Sequence, residues 1–193
     1  MNIFSEPFIL EDKNRLPEIY KLRYNAYKNH PLAENFDFKL SDGIKSCSDI
    51  LDENGKHFIV LNNAANEIAA TYRLNIIDTL EQLPYPNIFK PFQLPEARPF
   101  LFYSRLVVDE KYRNNNFANK LQKSLLQYHI DNKILFGIGT ALHLVDWLKK
   151  WGFEILGEVD TTLDRNYHFG SSFAMIINIE NINNYGNPSK SIE

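Results

Sequence analysis

Two arginines interrupt runs of strand-like, largely apolar residues. Arg73 and Arg105 stand in such runs, where an ionised side chain costs free energy unless it is solvated or paired. Asp49 and Asp52, three residues apart and ahead of a strand-like run, are candidate partners for the two guanidinium groups. In the alternative interpretation, Asp49 and Asp52 are solvated loop acids or helix caps. Because a guanidinium fork also suits a ligand carboxylate, a structural ion pair and a binding role can coexist.

A second group of residues has the pattern of an anion site. The stretch 107–122, VVDEKYRNNNFANKLQ, predicts a buried strand, a tight turn and an amphipathic helix. A helix N-terminus offers unpaired N–H groups and the positive end of its dipole, and both favour a phosphate. A turn that wraps a phosphate needs unusual backbone dihedrals, which asparagine tolerates best after glycine. The turn here is Asn114-Asn115-Asn116, although an ordinary connection in an asparagine-rich protein would look the same.

The elements that must position these residues alternate between helical and strand-like patterns. The periodicity predicts helices over 16–28, 117–132 and 141–151, and strands over 57–61, 67–77, 100–109, 134–139, 153–159 and 172–180. We expect 29–55 to be a long loop with a short helix, and the proline-rich 78–99 to be a loop or a broken helix. The order indicates an α/β fold with a central mixed sheet, a β-α-β core and flanking helices. The strands on either side of 117–132 should run parallel and separate beside the turn.

Composition limits the class of protein. The chain has 193 residues, 44% of them hydrophobic and 23% charged, which predicts one globular domain over 1–180 and a flexible tail over 181–193. A net charge of −3 argues against bulk attraction to nucleic acid, and no apolar run suggests a transmembrane segment. Since Cys47 is the single cysteine and no signal-peptide pattern is present, we expect a cytoplasmic location. No Cys/His/Asp grouping has metal-ligand spacing, so no metal is expected.

The turn resembles the acyl-CoA-binding motif of the GNAT acyltransferase superfamily, Arg/Gln-x-x-Gly-x-Gly/Ala. Arg113 and Ala118 match its ends, and Asn116 replaces the middle glycine. Three further features match in order, and together the resemblance covers roughly 15–180: Leu22-Arg23-x-x-x-Tyr27 on the first helix, the strand Leu106-Val107-Val108, and Lys149-Lys150-Trp151-Gly152-Phe153.

Within the superfamily, the chain is most similar to the N-acyl amino acid synthases and homoserine-lactone autoinducer synthases. Their signature is R-x-x-x-F, D-x-x-D, a strand arginine, and E-x-S-R-[FL]-x-V. The matching residues here are Arg23-x-x-x-Tyr27, Asp49-Ile50-Leu51-Asp52, Arg73 and Tyr103-Ser104-Arg105-Leu106-Val107-Val108. The glutamate of this signature is Phe102 here, which is the clearest departure from the branch.

The resemblance implies N-acyl transfer from a pantetheine thioester, with acyl-CoA or an acylated acyl carrier protein as co-substrate. An amino acid or similar small amine would be the acceptor. A short-chain acetyl-CoA-dependent enzyme and a GNAT-like binding domain without catalysis are the alternatives; acyl length and oligomeric state stay open. The implied roles are donor binding by Leu106, Val107, Val108, Arg113, Asn114, Asn115, Asn116, Phe117 and Ala118, substrate binding by Arg23, Asp49, Asp52 and Arg73, and catalysis by Tyr103, Ser104 and Arg105. Lys111, Arg113, Lys120 and Lys123 form a basic cluster near the turn.

Overall fold

The computed structural model describes residues 2–30, 33, 38–41, 44–83, 85–160 and 171–184. Its helices and strands follow in this order: β1 (Phe8–Ile9), α1 (Leu16–Tyr27), β2 (Lys39–Ser41), β3 (Ile44–Ser46), β4 (Lys56–Asn62), β5 (Glu67–Ile77), β6 (Phe100–Val108), α2 (Phe117–Asp131), β7 (Phe136–Ala141), α3 (Val145–Lys150), β8 (Phe153–Asp160) and β9 (Ser171–Asn178). Short 3-10 helices occupy Lys13–Arg15, Leu80–Gln82, Pro86–Ile88, Glu110–Tyr112 and Ile179–Asn184.

The chain forms two compact units, and the first comprises Met1–Asn75 and Ser104–Tyr128. In this unit β4 and β5 form an antiparallel hairpin, and β1 pairs with β4. The helix α1 starts with Pro17 in its first turn, where a missing N–H removes no helical hydrogen bond. The core of the unit contains Ile19 and Leu22 of α1, Ile59 of β4, Ile68 of β5 and Val107 of β6. Burial of such side chains contributes roughly 1.5–3 kcal/mol each.

The second unit comprises Ile76–Tyr103 and His129–Glu193. In it β9 pairs antiparallel with both β7 and β8. Gly152 follows α3 with a φ of 89°, a left-handed conformation that glycine adopts without steric cost and that ends the helix. The proline-rich segment before β6 packs Tyr85 and Phe89 against Phe102, with ring centroids 6.0 Å and 6.3 Å away.

The strands make a seven-stranded mixed sheet in the order β1-β4-β5-β6-β7-β9-β8. Strands β6 and β7 are parallel and α2 connects them, so the predicted mixed α/β sheet with a β-α-β core is confirmed. Their pairing runs from Phe100 opposite Phe136 to Tyr103 opposite Gly139. Because β6 continues to Val108, the parallel ladder ends well before the strand does.

Several predicted elements differ from the observed ones. The interval 29–55 contains the antiparallel strands β2 and β3, whereas a loop with a short helix was expected; three-residue strands are too short for a period-two pattern to be detected. The helix predicted over 141–151 is shorter, because Ala141 still belongs to β7 and α3 begins at Val145. The two-residue strand β1 was missed for the same reason as β2. Part of the expected tail, 181–184, lies in a 3-10 helix, and 185–193 falls outside the described residues.

Candidate active site

Three arginines and two aspartates of the first unit form one connected ion-pair cluster. Arg23 on α1 donates from Nη1 to Oδ1 of Asp52 at 2.7 Å, and Arg73 on β5 donates to the same oxygen at 2.7 Å. Arg73 also donates from Nη2 to Asp49 Oδ2 at 3.1 Å, and Arg105 on β6 donates to that oxygen at 3.0 Å. Two carboxylates therefore join α1, β5 and β6, and both arginines that interrupt strand-like runs are paired, as their cost in an apolar run requires.

Burial divides this cluster into an inner and an outer part. The side chains of Arg23, Arg73 and Asp52 are 0%, 1% and 2% exposed, whereas those of Asp49 and Arg105 are 21% and 20% exposed. Burial acts to raise the pKa of both aspartates, but the neighbouring guanidinium charges outweigh it and hold each pKa below its usual value. Each carboxylate accepts hydrogen bonds from two of the three guanidinium groups. Asp49 and Arg105 form the part of the cluster that solvent can reach.

Ser104 and Arg105 place a backbone irregularity in the middle of β6. Ser104 Oγ accepts a hydrogen bond from Arg73 Nε at 3.0 Å. Arg105 has a φ of 61°, a left-handed conformation that costs a residue with a Cβ about 1–2 kcal/mol. The hydrogen bonds from its guanidinium group to Asp49 act against that cost. Such a residue inside a strand redirects the neighbouring N–H groups, and this irregularity follows the end of the β6–β7 ladder.

The turn before α2 has the backbone that the asparagine run predicts. Asn114 and Asn116 have φ values of 70° and 58°, both in the left-handed region. Asn115 closes the turn by donating from Nδ2 to the Tyr112 carbonyl at 2.9 Å. The helix then begins at Phe117, whose buried ring anchors it, and its first N–H groups point back toward the turn. Asn116 therefore has a left-handed conformation of the kind that glycine adopts without steric cost.

The basic cluster predicted near the turn is largely neutralised by acidic partners. Three of its four members have a carboxylate nearby: Lys111 with Glu67 at 2.6 Å, Arg113 with Glu110 at 3.8 Å, and Lys120 with Glu6 at 2.9 Å. The Arg113 side chain is 59% exposed, so its long contact with Glu110 is worth little. Loss of the contact with Glu110 would therefore cost little free energy if Arg113 turned toward an anion.

A family model described as an acetyltransferase (GNAT) domain matches residues 22–123, which is just over half of the chain. The chain belongs to the GNAT acetyltransferase family. The matched region begins in α1 and ends in α2, so it includes the ion-pair cluster and the turn. No curated protein sequence matches the chain.

Solved structures of GNAT proteins share the fold at low sequence identity. FeeM, an N-acyl amino acid synthase from uncultured soil microbes, has 12% identity over 98% of each chain and a TM-score of 0.71. BjaI, a CoA-dependent acyl-homoserine lactone synthase, has 16% identity over 87% of this chain and 77% of its own, with a TM-score of 0.66. Arylalkylamine N-acetyltransferase 2 from Aedes aegypti has 15% identity over 92% of this chain and 100% of its own, also with a TM-score of 0.66. These likenesses confirm the GNAT fold.

The remaining predicted donor-binding residues lie on β6 and at the start of α2. Val107 is buried in the core of the first unit, so only its backbone is available for a ligand. Leu106, Val108 and Ala118 are half-buried, which leaves part of each side chain at the surface. Throughout the residues that the structure describes, no group of three or more His, Cys, Asp or Glu is placed to hold a metal ion. Nor does any helix among the described elements have the length and apolar character to cross a membrane.

His57 supports the ion-pair cluster from β4. Its Nδ1 lies 3.3 Å from Nη2 of Arg23, and its Nε2 lies 3.2 Å from the Asp52 carbonyl oxygen. Because a carbonyl oxygen only accepts, Nε2 carries the proton and Nδ1 accepts from the guanidinium group. Burial, reinforced by the Arg23 charge, lowers the pKa of His57 to about 4. His57 is therefore a neutral structural acceptor at pH 7.

Protein stability should fall between pH 6.5 and pH 4.5. In the unfolded chain a histidine takes up a proton below about pH 6.5, whereas burial keeps His57 and His129 neutral in the folded protein until a pKa of about 4. The unfolded state thus binds more protons in this window, and each histidine removes roughly 2–3 kcal/mol of stability by pH 4.5. Urea unfolding of the wild type and of His57→Gln at pH 7.5 and 4.5 measures this loss. Between these two pH values, His57→Gln should lose about half as much unfolding free energy as the wild type. Equal losses in the two proteins would contradict a buried neutral His57.

The sequence-based prediction missed His129 at the end of α2. Its side chain is fully buried, and its ring stacks on Tyr103 with centroids 5.6 Å apart and planes 20° apart. Gly137 on β7 has no side chain at this point; a Cβ there would lie 2.6 Å from Tyr103 Cε2 and 2.7 Å from His129 Nε2. The helical period carried a signal for this residue, because His129 follows the buried Leu125 by four positions on the same face.

Proposed function

We propose that the protein is an N-acyltransferase that moves an acyl group from a pantetheine thioester to the amine of an amino acid or similar small molecule. The observation that carries this proposal is the turn before α2, in which Asn114 and Asn116 both adopt left-handed backbone conformations. These conformations turn the chain so that successive N–H groups and the helix N-terminus can face one anion. The pyrophosphate of CoA, or the phosphate of a carrier-bound pantetheine, has the matching charge.

The proposed donor site continues from this turn onto β6. The pantetheine arm would lie along Leu106 to Val108, beyond the last residue of β6 that pairs with β7. The irregular φ at Arg105 supports an oxyanion site, because it turns the following N–H groups away from the regular strand direction. A backbone N–H near Val107 or Val108 would then stabilise the negative charge that develops on the thioester oxygen.

The reaction would proceed by direct attack. The neutral amine attacks the thioester carbonyl, a tetrahedral intermediate forms, and the C–S bond breaks to release the thiolate of the pantetheine arm. The attacking nitrogen then gives up its proton to the released thiolate or to water. The thiolate can leave without prior protonation, because a thiol has a pKa of about 8.5. Leu148 occupies the place from which a tyrosine acid serves many GNAT enzymes. The chemistry therefore depends mainly on positioning and on the oxyanion site.

The outer part of the ion-pair cluster supports an acceptor that carries a carboxylate. The side chains of Arg105 and Asp49 are 20% and 21% exposed there, so a ligand can reach the guanidinium group. A guanidinium fork can bind a carboxylate through two parallel hydrogen bonds, and such a contact would direct the amine of the acceptor toward β6. Arg23, Arg73 and Asp52 then have a supporting role, because they are too deeply buried to meet a substrate directly.

A thermal-shift panel with CoA, acetyl-CoA and palmitoyl-CoA tests the donor part of this proposal. A ligand present at 100 times its Kd stabilises the folded protein by about 2.7 kcal/mol. Stabilisation by palmitoyl-CoA beyond that by CoA supports a long-chain donor, and equal stabilisation by acetyl-CoA supports the short-chain alternative. Mass spectrometry of lipids from cells that overexpress the protein then identifies the acyl chain and the acceptor. No stabilisation by any thioester and no new acylated amine would contradict the proposed function.

Replacing Arg113 by glutamate should weaken donor binding about tenfold, or roughly 1.4 kcal/mol. The substitution puts a negative charge beside the phosphates at a helix N-terminus, where one charge is worth about 0.3–1 kcal/mol through the dipole alone. Because Arg113 is largely exposed, the loss should be greater at low ionic strength. Calorimetric titration of a CoA thioester measures it, with Lys13→Glu as a matched charge reversal on an exposed residue outside the turn. Equal affinities for wild type and Arg113→Glu would place the phosphates elsewhere.

A further inference from the structure

His129, Tyr103 and Gly137 form a packed group outside the proposed donor and acceptor sites. His129 Nδ1 lies 2.8 Å from the carbonyl oxygen of Ile134. Because that oxygen only accepts, Nδ1 carries the ring proton and Nε2 carries a lone pair. This hydrogen bond fixes the plane of the imidazole ring. Among the residues that the structure describes, none donates to Nε2.

The imidazole ring is placed to fix Tyr103 rather than to exchange protons. Burial keeps the pKa of His129 at about 4, so the ring is neutral near pH 7. One face of the Tyr103 ring stacks on it, and Phe153 meets the same ring edge-on at 5.2 Å and 87°. At Gly137, a Cβ would come within 2.9 Å of Tyr103, His129 and Ile177 atoms, so the backbone leaves just enough room for the stacked pair. Tyr103 is thereby held in one position.

Tyr103 is the last residue of β6 in the ladder with β7, and it directly precedes Ser104 and Arg105. A shift of its ring moves the backbone at the point where the strand becomes irregular. We propose that His129 is a positioning residue for the acyl transfer: by stacking on Tyr103 it fixes residues 103–105 of β6, and so the N–H groups that follow them, against the thioester. This inference rests on the proposed acyltransferase function.

The effect should appear in kcat rather than in the KM for the donor. A displacement of about 1 Å at a reacting centre costs about 100-fold in rate, so His129→Leu should lower kcat by about 10- to 100-fold. The donor phosphates bind at the turn, so the KM for the thioester should change by no more than about twofold. His129→Phe keeps an aromatic ring for stacking and should retain a kcat within about threefold of the wild type.

A double-mutant cycle with Tyr103→Leu tests whether His129 acts through Tyr103. In the Tyr103→Leu background, adding His129→Leu should lower kcat by a further factor of no more than about two, because the contact is already lost. Phe100→Leu is the matched control: Phe100 lies three residues earlier on β6 and makes its edge-on contact with Phe136 instead. Its kcat should stay within about twofold of the wild type if the effect is specific to Tyr103.

The possible outcomes separate this inference from the function on which it rests. If the wild type turns over a thioester and His129→Leu has the same kcat, the positioning role is wrong and the acyltransferase function stands. The same conclusion holds if His129→Leu lowers kcat by the same factor with Tyr103 and with Leu at position 103. If Phe100→Leu loses as much as His129→Leu, the effect reflects general core packing and the inference is also wrong. If His129→Leu does not fold, His129→Phe decides: a loss of more than about tenfold overturns the stacking role. If the wild type turns over no thioester, the proposed function fails and this inference fails with it.

Discussion

Replacing Asp52 by alanine is expected to lower the free energy of unfolding by about 3–5 kcal/mol, the cost of breaking a buried ion pair. Asp52 neutralises two guanidinium groups, and the side chains of Arg23 and Arg73 are 0% and 1% exposed. Once the carboxylate is gone, both positive charges stay buried, and Arg23 loses its carboxylate partner. A loss of this size is a large share of the stability of a typical domain, so a fraction of the variant should be unfolded at 37 °C.

Urea unfolding of wild type and Asp52→Ala at pH 7.5 measures this loss, and Glu18→Ala is the control. Glu18 also pairs with an arginine, at 2.7 Å from Arg15, but its side chain is 44% exposed. An exposed pair is worth about 0–1 kcal/mol, so this variant should unfold almost as the wild type does. If Asp52→Ala cost no more than Glu18→Ala, the arginines would have to be solvated in the folded protein, and the cluster could not be the interior support of β5 and β6.

Replacing Arg105 by valine is expected to lower kcat by about 100-fold or more, the effect of a misplacement of about 1 Å. Valine is β-branched and poorly tolerates the φ of 61° that Arg105 adopts, so the strand should relax toward a regular conformation. The N–H groups that follow would then leave the positions proposed for the oxyanion. The substitution also removes the guanidinium group from the accessible end of the ion-pair cluster, so the KM for an acceptor carboxylate should rise.

Arg105→Gly separates these two effects. Glycine lacks the guanidinium group as valine does, but it adopts positive φ without steric cost. Arg105→Gly should therefore show the higher acceptor KM and retain about tenfold more kcat than Arg105→Val, since a left-handed residue costs about 1–2 kcal/mol when it carries a Cβ. Steady-state kinetics with a thioester and an amino acid acceptor measures both constants. Identical kcat values for the two variants would mean that the backbone irregularity has no part in turnover.

The sequence predicts most of the regular fold because most elements are long and periodic. The helix near α1, the β4–β5 hairpin, the strand β6 and the helix α2 are each within a few residues of their predicted bounds. The elements that it missed, β1, β2 and β3, have only two or three residues each. Pairing of such short strands depends on their neighbours in the fold and leaves no pattern in the chain itself.

Two parts of the candidate site follow from residue type, and two do not. The cost of a buried charge predicts that Arg73 and Arg105 find carboxylates, and the tolerance of asparagine predicts the left-handed turn. The neutralisation of Lys111 by Glu67 was not predictable, because the two residues are 44 positions apart and only the fold brings them together. The stacking of His129 on Tyr103 likewise depends on the packing of α2, although the helical period already places His129 on a buried face.

The ion-pair cluster joins residues that are far apart in the chain: Arg23 and Asp52 are 29 positions apart, Asp49 and Arg73 are 24, and Asp49 and Arg105 are 56. Contacts between such distant residues close large loops, so we expect them to form after the local helix and hairpin during folding. Interactions that are absent from the folding transition state leave the folding rate almost unchanged and slow unfolding instead. We therefore expect that removal of the cluster would speed unfolding of the first unit and leave its folding rate almost unchanged.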